Sequence, residues 1–264
     1  MSNYFEIAKI FEEKKDRVEF FKNAEVLSVK NVLEIILEKD IKQLIFLIGD
    51  PGVGKSVFLN NIDELLEDRY DIIKFDTPFM EPVDFIKMLI KKRDREIKDF
   101  SIEGLIKQVV SIYKDENCLI TIDEAQLLSK SMIELLRILA DSKAFWFLLA
   151  MHKHESKEIL NAPQFSTRPH KVLELGELQK HECKEFIFKS LFNKNEASLA
   201  EELTKKYLNL IYKLTKGNFR NLKKLLYNLF LVLDYATNSD KKRYQKLSKC
   251  LLIMAAIEGG LIDA

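Results

Sequence analysis

The chain has 264 residues and a mass of 30.9 kDa, with 47% apolar and 31% charged residues but only 8 Gly and 5 Pro. That balance excludes intrinsic disorder, collagen-like repeats and low-complexity linkers, and at about 150 residues per domain it predicts one to two domains. The charges nearly cancel, 42 Lys and Arg against 41 Asp and Glu, which excludes the overall positive field of a dedicated nucleic-acid binder; residues 177–264 nevertheless carry net +6 on a body of net -5.

The first 40 residues read as helices, with Val29, Val32, Leu33, Ile36 and Leu37 recurring on one face. Leu44 to Ile48 is a continuous apolar run that stops at Gly49, the pattern of a strand covered on both faces of a parallel sheet. A helix marked by Phe58, Ile62, Leu65 and Leu66 follows, then a short strand at Ile72–Phe75 and a helix opened by Pro82. Ile102–Tyr113 predicts a helix, Leu119–Ile122 a third strand, Ser131–Ala140 a helix, Phe145–Leu149 a fourth strand and Lys171–Leu175 a fifth. Beyond Gly176 only helical periods remain, at Cys183–Leu191, Leu199–Leu214, Phe219–Tyr235 and Tyr244–Ile257. The expectation is an α/β fold, a five-stranded parallel sheet flanked by helices over residues 1–176, followed by a small all-helical domain over 177–264. Ligands of such a sheet bind at the C-terminal ends of its strands.

Three widely spaced cysteines, Cys118, Cys183 and Cys250, make neither a disulfide framework nor a zinc motif and fit a reducing, cytoplasmic setting. The N-terminal segment has no signal-peptide core, and no uncharged apolar run is longer than Cys250–Ile257, far below the roughly 20 residues a membrane-spanning helix needs, so no membrane span is expected.

Gly49-Asp50-Pro51-Gly52-Val53-Gly54-Lys55-Ser56 satisfies GxxxxGK[ST] between an apolar strand and an amphipathic helix that continues with Val57. The glycines permit backbone angles closed to other residues, so successive N–H groups converge on phosphate oxygens at a helix N-terminus. Lys55 then meets the β- and γ-phosphates and the Ser56 hydroxyl ligates Mg²⁺. Asp123 and Glu124 stand at the end of the strand read at Leu119–Ile122. Asp123 reads as the acidic residue that holds Mg²⁺ and Glu124 as the base that polarises the attacking water, whereas an isolated Asp-Glu pair would read as a capping turn.

The phosphate loop GDPGVGKS, the strand LITIDEAQ and the later GNFR occur in the order of an AAA+ ATPase, which the chain resembles over nearly its whole length. Within that family, LITIDEAQLL, IELLRILADSKAFWFLLAMHKHE and TKGNFRNLKKLL are similar to the ExeA/GspA secretion-associated ATPases and to TniB-type transposition helpers. The resemblance implies ATP and Mg²⁺ as ligands and hydrolysis between the subunits of a homo-oligomer. It implies sensor 1 at His152, which could equally be a solvated loop histidine, and an arginine finger at Arg168, whose bland alternative is a surface Arg. Arg220 in Gly217-Asn218-Phe219-Arg220 takes the sensor 2 place, with Phe219 where the group usually has Pro. The implied role is to drive or gate assembly of a larger machine, secretion or envelope related, through an unidentified protein partner. The alternatives are a DNA-transaction helper, as in transposition or replication initiation, and a nucleotide-gated scaffold with little turnover. Lys205, Lys206, Lys213, Lys216, Lys223 and Lys224 could give the lid a weak DNA-facing surface, or simply a solvated one.

Overall fold

The structure, a computed structural model, describes residues 3–12, 20–77, 81–161 and 170–263. It divides into two compact units: Ala24–Pro51 with Lys55–Leu175, and Met1–Asn23 with Gly52–Gly54 and Gly176–Ala264.

The first unit is the α/β part. Its strands are β1 (Leu44–Gly49), β2 (Asp71–Phe75), β3 (Cys118–Ile122), β4 (Trp146–His152) and β5 (His170–Glu174), all parallel, in the order β2-β3-β4-β1-β5. β1 is wholly buried because the sheet is covered on both faces, which is why its sequence is unbroken by polar residues. One face packs Phe46, Ile120, Phe147 and Leu149 against Phe85, Ile86 and Leu89, Leu105 and Val109, and Leu136 and Leu139. These come from three helices, Pro82–Lys91, Ile102–Tyr113 and Lys130–Asp141. Each apolar run expected to be a strand is one.

The helices depart from expectation in identifiable ways. Val32, placed on the buried face, is exposed on the helix Ala24–Glu38, while Val29, Leu33, Ile36 and Leu37 are buried. The helix after the phosphate loop is two, Lys55–Asn60 and Ile62–Leu65. At the break, the Asn61 side-chain amide donates to the Val57 carbonyl at 2.8 Å, sharing that acceptor with its own main-chain N–H at 3.2 Å. A helix at Lys153–Asn161 follows β4 directly; only Ser156 in it is buried, so no apolar period announces it.

The second unit is helical: Tyr4–Ala8, Lys180–Phe192, Ala197–Glu202, Leu208–Thr215, Phe219–Asn238 and Lys249–Glu258. The expected single helix Leu199–Leu214 is interrupted by a π-turn over Leu203–Tyr207, where the Thr204 hydroxyl donates back to the Ala200 carbonyl at 2.7 Å. Ile7, Ala8 and Phe11 lie in the same core as Cys183, Ile187 and Leu191, and as Leu226 and Phe230, with Phe11 stacked on Phe230 at 5.8 Å. The N-terminal segment, read from sequence as part of the α/β domain, therefore belongs to the core of the helical unit. Among the described residues no helix is long and apolar enough to cross a membrane.

Candidate nucleotide site

The site begins at β1. Its last residue, Gly49, stands opposite His152, the last residue of β4, and β4 in turn pairs with β3, which delivers Asp123 and Glu124. The three strands that carry the predicted phosphate loop, acidic pair and sensor are thus neighbours, and their C-terminal ends lie together at one end of the parallel sheet.

The loop leaves β1 at Gly49 and enters the helix at Lys55. Gly52 and Gly54 have φ of 85° and 113°, backbone that an L side chain rarely adopts. A Cβ on Gly54 would meet nothing, so its glycine is required by conformation alone; one on Gly52 would lie 2.6 Å from Asn218 Oδ1 and 2.9 Å from Arg220 Cβ. Lys55 is buried, and its ammonium donates to the Gly49 carbonyl at 2.9 Å and the Asp50 carbonyl at 3.0 Å. Its charge is therefore held inside the loop, close to where phosphate oxygens would compete for it. Val53 is buried and anchors the loop, Pro51 and Ser56 are exposed, and Val57 continues the helix, half-buried.

At the end of β3, the Asp123 N–H still donates to the Phe75 carbonyl at 3.0 Å, extending the ladder by one residue. Glu124 then turns into the left-handed region, φ 51° and ψ 38°, at the start of a 3-10 turn over Ala125–Leu127. Its N–H donates to Asp123 Oδ1 at 2.9 Å. That kink turns the Glu124 carboxylate toward β4, where Oε2 lies 3.3 Å from His152 Nε2. The same Oε2 accepts from the Gln126 side-chain amide, whose own Oε1 is buried without a partner. His152 Nδ1 lies 4.0 Å from Glu155 Oε1. His152 thus ends a strand and faces a carboxylate, a different setting from a solvated loop histidine. Gln126 went unread in the sequence; its signal was a second polar side chain, two residues past Glu124, in a turn otherwise apolar.

Ser56 and Asp123 offer one hydroxyl and one carboxylate oxygen. Mg²⁺ takes such a sparse oxygen set with the rest of its octahedron from phosphate and water, so the residues fit it. Among the described residues no cluster of three or more His, Cys, Asp or Glu suggests an all-protein metal site. In the helical unit, Asn218 caps Phe219–Asn238 through its side chain to the Asn221 N–H at 3.2 Å, and the Arg220 N–H donates to the Gly52 carbonyl at 3.0 Å. Arg168 lies outside the described residues.

Of the lysines proposed for a DNA-facing lid, Lys223 is buried, with its ammonium 3.2 Å from the Glu12 carbonyl, and Lys205 and Lys206 are paired to Glu201 and Glu202. Burial removes Lys223 from any phosphate-tracking surface, whereas Lys205 and Lys206 stay exposed with their charge partly offset by the neighbouring glutamates.

Residues 39–160 match the AAA domain family. No curated protein matches the chain. Among solved structures, it is similar to Cdc6p from Pyrobaculum aerophilum, with 14% identity, TM-score 0.60, and coverage of 88% of this chain and 66% of that one. It is similar to the RuvB Holliday junction branch migration motor of Thermotoga maritima, with 19% identity, TM-score 0.56, and coverage of 94% and 72%. A third is Drosophila ORC bound to DNA, with 10% identity, TM-score 0.65, and coverage of 97% and 66%. The chain thus spans just under two thirds of the Cdc6p and ORC chains, and at these identities the likeness speaks to the fold. Over residues 39–160, a little under half of the chain, the sequence is similar to the AAA domain family, and that stretch holds the glycine loop, the buried Lys55 and the strand-end acidic pair.

Proposed function

We propose that the chain hydrolyses Mg·ATP at the ends of β1, β3 and β4 and uses turnover to drive or gate assembly of a larger machine. The observation that carries the reading is the Glu124 carboxylate, turned by its left-handed backbone toward His152, at the end of the sheet from which the glycine loop departs. Gly49 to Val57 hold the phosphates, chiefly through backbone N–H groups and Lys55. Ser56 and Asp123 would hold Mg²⁺, which would supply charge neutralisation on the phosphates when bound. Glu124 accepts a proton from water as its oxygen bonds to the γ-phosphorus; the bond to the bridging oxygen breaks and ADP leaves with inorganic phosphate. His152 orients the water or the γ-phosphate, and Arg220 neutralises charge on the phosphates. Arg168 does the same from a neighbouring copy in a homo-oligomer, in the cytoplasm.

The machine is of the secretion or envelope kind, through a protein partner, on the likeness of its motifs to the ExeA/GspA ATPases. A second reading, a DNA-transaction helper of TniB type, is favoured by the likeness in fold to ORC bound to DNA and to the RuvB branch migration motor. The test is Glu124→Gln: this variant should bind ATP as tightly as wild type and lose most of its turnover, and affinity capture of its ATP-locked form should bring down the partner. Undiminished turnover would move the base to a different residue, and negligible turnover already in wild type would move the assignment to the nucleotide-gated scaffold.

A further inference from the structure

The turn between the last two long helices of the helical unit, Phe219–Asn238 and Lys249–Glu258, is distinct from the lid lysines read in the sequence. Five of the nine residues from Lys241 to Lys249 are cations: Lys241, Lys242, Arg243, Lys246 and Lys249. All five are exposed. Elsewhere in this unit Lys189, Lys205 and Lys206 each sit on a glutamate four residues earlier, which neutralises them in place. In the turn, among the described residues, none of the five is paired to a carboxylate. Asp240, the acid beside them, is engaged by the Gln245 amide at 3.5 Å, and Asp234 by Asn238 at 2.9 Å. Holding five like charges together without counterions costs free energy at low ionic strength, and a bound polyanion recovers it by releasing its own condensed ions.

The turn is also shaped. A 3-10 turn fixes Lys242–Tyr244, the Lys241 ammonium stands 4.9 Å from the centre of the Tyr235 ring, and the Arg243 guanidinium stands 5.7 Å from that of Tyr244. Tyr207 anchors the turn from within the unit through its hydroxyl on the Leu247 carbonyl at 3.0 Å. Tyr235 is 60% exposed, so an aromatic face lies among the cations. Cations interleaved with an exposed ring, Tyr235, and a half-buried one, Tyr244, suit a sugar-phosphate backbone, where charges meet phosphates and rings meet sugars or bases. An interfacial membrane helix instead carries its cations and apolar side chains on one cylinder; here Cys250–Ile257 is uncharged and the cations precede it.

We infer that the Lys241–Lys249 turn binds the backbone of a nucleic acid, reading phosphate without sequence preference. The inference deepens the DNA-transaction reading and rests on it. The experiment measures binding of a short DNA duplex of arbitrary sequence to the full chain with ATP, over a range of salt concentrations. The variants are Lys241→Glu with Lys242→Glu and Lys246→Glu, and, as a control on the same unit, Lys213→Glu with Lys216→Glu. Wild type should bind with a steep salt dependence. The turn variant should bind at least about tenfold more weakly, its log–log salt slope reduced by about 0.9 for each phosphate that it no longer neutralises, while the control stays close to wild type. Unchanged ATPase rates and thermal midpoints in both variants would show that the fold and nucleotide site are intact. Duplex binding that persists in the turn variant overturns this surface and leaves the DNA reading standing. Absence of duplex binding by wild type overturns both, and binding instead to vesicles of phosphatidylglycerol and phosphatidylcholine would assign the turn to lipid.

Discussion

Lys55 is the only cation of the phosphate loop, and its ammonium is bonded to two loop carbonyls rather than held in solvent. Lys55→Ala should abolish tight Mg·ATP binding, since hydrogen bonds to charged groups contribute about 1.5–3 kcal/mol each, and calorimetric titration reads the change directly. Gln126 yields a sharper test. Its amide fixes the Glu124 oxygen that faces His152, so Gln126→Leu should lower kcat about tenfold while leaving ATP affinity unchanged. In a Glu124→Gln background the same substitution should cost almost nothing further, because the group it positions is already gone. Additive effects in that cycle would make Gln126 a packing residue. Neither Gln126 nor the turn of Glu124 toward β4 was legible in the sequence, since both depend on a single residue, Glu124, adopting positive φ. The glycine loop was legible because its conformational demand is met only by a residue type that the sequence displays.

Strands were read more securely than helices, and the reason lies in burial. β1, β3 and β4 are covered on both faces, so their sequences are almost wholly apolar, with Thr121 in β3 and His152 at the end of β4 as the exceptions. The helix Lys153–Asn161 has the opposite character: exposed nearly all round, it leaves no period to detect. The π-turn at Leu203–Tyr207 escaped because apolar spacing cannot reveal a hydroxyl that bonds the preceding turn. The packing of Ile7 and Phe11 with Phe186 and Phe230 escaped because it joins segments some two hundred residues apart. At this scale the two loop glycines separate two kinds of cost. Gly54→Ala should show only backbone strain, about 1 kcal/mol, whereas Gly52→Ala adds a collision with Asn218, the cap of Phe219–Asn238, and should destabilise by more. Denaturant midpoints for the two variants, compared at equal m-value, check the order.

For the molecule as a whole, activity in trans is the central expectation. If Arg168 completes a neighbour's site, inactive Arg168→Ala and inactive Glu124→Gln chains should regain turnover when mixed, and specific activity should rise with concentration. A rate strictly independent of concentration would remove Arg168 from the mechanism. A second expectation concerns the thiols. Burial pushes the Cys183 thiol up to about 12 and the Cys118 thiol well above its ordinary value, so neither offers thiolate at neutral pH, whereas Cys250 is exposed. Native protein should therefore react with one equivalent of a thiol reagent, at Cys250, and with three only after unfolding, as intact mass measurement would show.

The place of β1 in the sheet bears on how the chain is made. Its pairing partners, β4 and β5, come roughly a hundred or more residues later, with Leu44 opposite Phe147 on one side and His170 on the other. At about 5–20 residues per second, a ribosome needs on the order of ten seconds after finishing β1 to deliver both neighbours. Until β4 is made Leu-Ile-Phe-Leu-Ile is a nascent strand with both edges unpaired, and until β5 follows it keeps one open edge, the pattern that recruits other chains. The strand from which the nucleotide loop departs is thus the one whose protection is completed last, and overexpression yield should be limited by chaperone capacity at that step.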